Sequence, residues 1–216
     1  MAELSLREAI YSLRAMRRLR PDPVPEADLR FAVDAATRAP SARNRQPWAF
    51  VVVTDPEPRR RLAEIYLELA QRFIRDGSLA DPRLPEPAKE IDRRALALAE
   101  RLGEAPALVL AVMRGAPPRD PAAASAWYGS IYPAVQNLML AARSRGLGTT
   151  LTTLHKARER DVKALLGIPD GWETIALIPI GYPAGGFAPP RREPSWRATH
   201  WQRWGHHVPP DGEPLP

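Results

Sequence analysis

Cysteine is absent from the 216 residues of this chain, which excludes disulfides, thiolate nucleophiles and cysteine-ligated metals. Any redox chemistry must then come from a bound cofactor. Histidine is scarce: His155, His200, His206 and His207 stand in no HExxH or other zinc-binding spacing, so no metal site is expected. No apolar run approaches the length needed to cross a membrane, and no N-terminal stretch has the form of a signal peptide. The expectation is a cytoplasmic protein with no membrane partner. Neither a GxGxxG nor a Walker A pattern occurs, which disfavours a Rossmann or P-loop fold.

What is present is charge and proline. The net charge is +6, but arginine is scattered along predicted helices and no nucleic-acid motif accompanies it. A solvated basic surface is expected, with no nucleic acid partner and with local arginine clusters left as candidates for phosphate binding. A hydrophobic fraction of 44% over this length supports one core, so residues 1–204 are expected to form a single domain, with a proline-rich tail over 205–216.

The 25 prolines punctuate a mixed pattern of elements. Ser5-Leu6-Arg7-Glu8 has the spacing of a capping box, and Leu6, Ile10 and Leu13 recur on one helical face. The first helix should start near Ser5 and run toward Pro21 and Pro23, placing Arg14, Arg17 and Arg18 in its last turn or just past it. A second helix opens at Pro25 and ends before Pro40, and a strand follows from Trp48 to Val53. Asp55-Pro56 opens a third helix bearing Leu62, Ile65, Tyr66, Leu69 and Phe73. After a break over 76–87 come a short helix with Ile91, Leu98 and Leu102, and an apolar strand from Ala107 to Met113 that should be central. A long helix to about Arg145, strand-like residues 149–153, a helix from about Ala157 to Leu166 and a strand from Thr174 to Gly181 complete an α+β sandwich of four or five strands. Beyond Tyr182, Trp196, Trp201 and Trp204 occupy a segment with little regular pattern, and such large apolar groups call for a surface to dock on.

Four segments carry a family resemblance: Leu13-Arg14-Ala15-Met16-Arg17; the loop from Pro40 through Ser41, Ala42, Arg43, Asn44, Arg45 and Gln46 to Pro47-Trp48; the run from Gln136 to Gly148 continuing through Leu151-Thr152-Thr153; and Pro189-Pro190-Arg191-Arg192-Glu193-Pro194. In this order the chain resembles the nitroreductase family of flavin mononucleotide (FMN) enzymes. The resemblance implies an α/β sandwich with a mostly antiparallel central sheet flanked by helices, assembled as an intertwined homodimer in which residues 183–204 embrace the partner.

It also implies the cofactor site. Arg14, Ala15 and Arg17 fall where the family binds FMN, although Leu13 stands for an arginine and Ala15 for a serine of the family pattern, so Ala15 would contribute its backbone. Pro40, Ser41, Ala42 and Asn44 correspond to the loop lying against the flavin, often supplied by the partner subunit. Leu151 and Thr152 lie where backbone donors face the reactive N5 edge, and Arg192 matches a basic residue that grips the phosphate, with Arg191 as a helper. No side chain is expected to act as nucleophile or obligatory acid. The implied activity is electron transfer from NAD(P)H through FMN to nitroaromatic, quinone or similar electron-poor molecules. Alternatives within the same fold are a dehalogenase, an ene-reductase, a flavin-fragmenting or a deazaflavin-reduced enzyme, and outside enzymology a flavin-binding protein without activity.

Overall fold

Ser5 begins the first helix as its spacing requires, its Oγ accepting the Glu8 amide at 3.1 Å in the computed structural model, which describes residues 4–208. The expectations at 209–216 lie outside the described residues. Helix α1 (Leu6–Ser12) is much shorter than the proline positions suggested. Residues 14–20 are extended instead, because the Met16 amide donates to the Thr149 carbonyl at 2.9 Å and Ala15 and Leu19 form bridges to Thr149 and Pro183. Long-range pairing, which buries Met16 and Leu19, ends the helix nine residues before Pro21. Its inner positions are Ala9 and Ser12, while Leu6 and Ile10 of the apolar stripe are 71% and 49% exposed.

The remaining elements follow the sequence pattern closely. Helix α2 (Glu26–Thr37) buries Leu29, Ala32 and Ala36, and β1 (Trp48–Val53) follows the polar loop. In α3 (Pro56–Ala70), Asp55 caps the N-terminus by accepting the Glu57 amide. A π-helical turn over 71–75 leads into the loop, and α4 (Glu86–Glu100) is longer than the short helix expected. Strand β2 (Ala107–Arg114) precedes α5 (Pro121–Ser144), then β3 (Gly148–Thr149), α6 (Glu159–Leu166) and β4 (Trp172–Gly181). Gly167 takes the left-handed conformation that terminates α6. The strand-like stretch 149–153 reduces to β3 and one isolated bridge from Thr152 to Leu177.

The four strands lie in the order β1-β2-β4-β3, all antiparallel. Strand β2 is central, and its side chains alternate between two cores: Val109, Ala111 and Met113 pack with α2 and α5, whereas Leu108, Leu110 and Val112 pack with α3 and α4. Opposite Ala111 and Val112 the register slips by one residue in β4. There the Thr174 amide and hydroxyl both donate to Glu159 Oε1, at 2.6 and 2.7 Å. The result is a three-layer sandwich, with the ends of β3 and β4 holding the N-terminal segment and the start of the tail. Among the described residues no helix is long and apolar enough to cross a membrane.

Candidate functional site

Segment 14–19 lies along the free edge of β3 and crosses to the residues that follow β4. The Arg20 amide donates to the Tyr182 carbonyl at 2.8 Å, the Ala184 amide to the Arg18 carbonyl at 2.9 Å, and Arg14 Nη2 to the Gly186 carbonyl at 3.3 Å. Close approach of this segment requires Gly148, where a Cβ would come within 2.8 Å of the Met16 Cβ. Three separated stretches of chain thus meet here: residues 14–18, residues 148–153 and the first residues of the tail.

Positive charge is dense on this segment. Many arginines on the helical surfaces pair with carboxylates, as Arg30 does with Glu26, Arg38 with Asp34, Arg94 with Glu90 and Arg158 with Glu68. Among the described residues, Arg14, Arg17 and Arg18 have no carboxylate partner. Arg14 and Arg18 are exposed and Arg17 half-buried, so the segment presents positive charge uncompensated by the protein. A phosphate would supply that compensation through charge-assisted hydrogen bonds.

Backbone donors follow directly on β3, whose Thr149 pairs with this segment. Thr152 is fully committed to the sheet, its amide and its Oγ1 donating to the Leu177 carbonyl at 2.9 and 3.1 Å. The amides of Leu151 and Thr153, on the opposite side of the extended chain, have no acceptor among the described residues, and both residues are exposed. Thr149 and Thr150, directly before them, carry buried hydroxyls without partners. Beneath lies Tyr66 of α3, a residue the sequence marks only as core. Burial raises its pKa, while the neighbouring Thr152 side chain and the charge of Arg17 oppose the shift.

The polar loop between α2 and β1 is held in an unusual shape. Arg43, Asn44 and Gln46 have φ of 54°, 52° and 49°, a left-handed conformation that costs a non-glycine residue about 1–2 kcal/mol. Internal bonds maintain it: the Gln46 amide donates to Ser41 Oγ at 3.0 Å, and the Ala42 amide to Ser130 Oγ of α5 at 3.0 Å. With Ser41 Oγ already accepting, its hydroxyl hydrogen remains available to a ligand, as do the side-chain N–H groups of Asn44. Clustered strain of this kind is characteristic of ligand-binding loops.

Arg192 is exposed and donates to the neighbouring Arg191 carbonyl at 2.9 Å. The structure therefore pairs the segment carrying Arg14, Ala15 and Arg17 with Thr149, two residues before Leu151, and sets Arg17 and Thr152 both near Tyr66, while Pro40, Ser41, Ala42 and Asn44 form a separate surface loop. Arg192 reaches neither through its own contacts. In the tail, Trp196 is buried, whereas Trp201 and Trp204 are 51% and 88% exposed. Residues 196–207 close on themselves: His207 Nδ1 lies 3.1 Å from the Trp196 carbonyl, and the His200 ring stacks on Trp204.

Comparison with known proteins identifies the family of the fold. The model of the Nitroreductase family matches residues 10–182. The chain is 31% identical to an NADH dehydrogenase of Thermus thermophilus, over 92% of this chain and 97% of that protein. It is 30% identical to a 5,6-dimethylbenzimidazole synthase of Rhodospirillum rubrum, over 79% of this chain and 78% of the relative. Among solved structures, iodotyrosine deiodinase bound to FMN and 3-iodo-L-tyrosine superposes with a TM-score of 0.69 at 26% identity, covering 88% of this chain and 96% of that one.

Proposed function

The chain belongs to the nitroreductase family, and from that premise we propose that it is an FMN-dependent oxidoreductase passing electrons from NAD(P)H to nitroaromatic, quinone or similar electron-poor small molecules. The observation that carries the reading is the unpaired positive charge of Arg14 and Arg17 beside the unused amides of Leu151 and Thr153.

These residues fit the cofactor. A dianionic phosphate calls for opposed cations, which Arg14 and, from the tail, Arg192 with Arg191 supply. Arg17 and the backbone at Ala15 and Leu151 hold the edge of a flat ring. Thr152, anchored to Leu177, holds the turn that directs its neighbours' amides outward. Ser41 and Asn44 offer hydrogen bonds, and Pro40 and Ala42 line the loop that carries them. FMN, when bound, supplies the two-electron relay that side chains of a cysteine-free protein do not provide. Preorganised N–H dipoles at the ring edge favour the negative charge that arrives with electrons. No side chain is assigned a catalytic role.

The second loop belongs to a homodimer in this reading, Ser41 and Asn44 facing the cofactor of the partner copy. Exposed Leu6, Ile10 and Tyr11 on α1, with Trp201 and Trp204 in the tail, provide the apolar surface for such an assembly. Residues 1–204 act as one cytoplasmic unit, with 183–204 reaching across to the partner.

The test is the visible spectrum of the purified protein with added FMN, followed through anaerobic addition of NADH and NADPH. Bleaching of a bound oxidised-flavin spectrum is expected; a protein that takes up no flavin would end this reading. Likeness to iodotyrosine deiodinase favours a second reading, reductive dehalogenation. Release of halide from an iodinated phenol by the reduced protein separates the two.

A further inference from the structure

We propose that Arg143 is a positioning residue for the cofactor phosphate, tying the segment that carries Arg14 to the segment that carries Arg192. The inference rests on the FMN reading above.

Arg143 lies in the last turn of α5, where an arginine ordinarily meets the helix dipole from solvent. Here it is only 7% exposed. Its Nε donates to Ser12 Oγ at 2.9 Å, and its guanidinium carbon stands 3.7 Å from the centre of the Phe187 ring. Ser12 is held in turn, because its hydroxyl donates to the Glu8 carbonyl at 2.6 Å. Glu8 also approaches Arg143 Nη2, at 3.7 Å. Burial lowers the guanidinium pKa, with Glu8 opposing the shift.

Both contacts lie close to the candidate phosphate ligands. Ser12 precedes Arg14 by two residues, and Phe187 follows Gly186, whose carbonyl accepts from Arg14. Arg192 lies five residues beyond Phe187, a reach of at most about 18 Å. Two cations that must converge on one anion sit on chain segments far apart in sequence. A planar cation stacked on one segment and hydrogen-bonded to the other fixes their relative position. Lysine cannot do both, since it lacks the flat face and the fixed fork.

The test compares FMN and riboflavin binding, by fluorescence titration of the full chain, for wild type and for Arg143→Met, Arg143→Lys and Phe187→Leu. Riboflavin has the ring but no phosphate. The expected result is about tenfold weaker FMN binding in both Arg143 variants, which corresponds to about 1.4 kcal/mol, with riboflavin binding unchanged. Phe187→Leu should lose part of the same FMN affinity and be non-additive with Arg143→Met. Parallel losses for both flavins, an unchanged FMN affinity, or full rescue by lysine would each overturn the proposal. If Arg143→Met does not fold, Phe187→Leu decides, because its ring is only partly buried. Wild-type protein that binds neither flavin would instead remove the FMN reading itself.

Discussion

Met16 donates its amide to the Thr149 carbonyl at 2.9 Å, and this bond turns the basic N-terminal segment into an extra edge of the sheet. The segment can approach so closely because residue 148 is glycine. Gly148→Ala would force a Cβ against Met16, and a destabilisation of about 1–3 kcal/mol is expected from such overpacking. Denaturant unfolding measures the stability loss, and FMN titration should show weaker binding at the same time.

Arg14→Ala should weaken FMN binding by about ten- to a hundredfold, the span of a charged hydrogen bond worth about 1.5–3 kcal/mol. Thermal stability should hold, since among the described residues the bond lost is a single exposed one to Gly186. Equal FMN affinity in wild type and variant would remove Arg14 from the site.

The loop at 43–46 exchanges stability for shape. Arg43→Gly relieves a left-handed arginine, and the expected stability change lies between neutral and a gain of about 1 kcal/mol. A floppier loop should bind flavin less tightly, so calorimetry and titration should move in opposite directions.

His155 is fully buried, both ring nitrogens lack partners among the described residues, and burial lowers its pKa from 6.5 to about 4, with Lys156 adding to the shift and Glu159 opposing it. The unfolded chain therefore takes up a proton that the folded one refuses between those values. Stability should fall as pH drops from about 6.5 toward 4, by up to about 3 kcal/mol. His155→Leu should be neutral or stabilising at pH 7 and should lose this part of the slope, because it removes an unsatisfied polar group. Urea midpoints across pH 4–7 provide the comparison.

Leu6→Glu with Ile10→Glu should leave the fold intact, since both side chains already face solvent in one copy. In the proposed homodimer, sedimentation should show a shift toward monomer; an unchanged dimer would place the contact elsewhere.

Much of this protein is legible one segment at a time. The bounds of β1, the centrality of β2, the Asp55 cap and the Gly167 stop follow from side-chain period, capping chemistry and glycine geometry, all acting within a few residues. The four motif segments were visible for the same reason: each is a local string.

What sequence alone determined is therefore the inventory of helices and strands and the residues available to bind an anionic flat ligand. Tertiary structure decided where α1 stops, which Thr152 neighbours keep their amides free, why Tyr66 lies under Thr152, and that Arg143 touches both Ser12 and Phe187. Those outcomes depend on partners far apart in the chain, whose competition with local preference is settled only when the sheet and its two cores assemble.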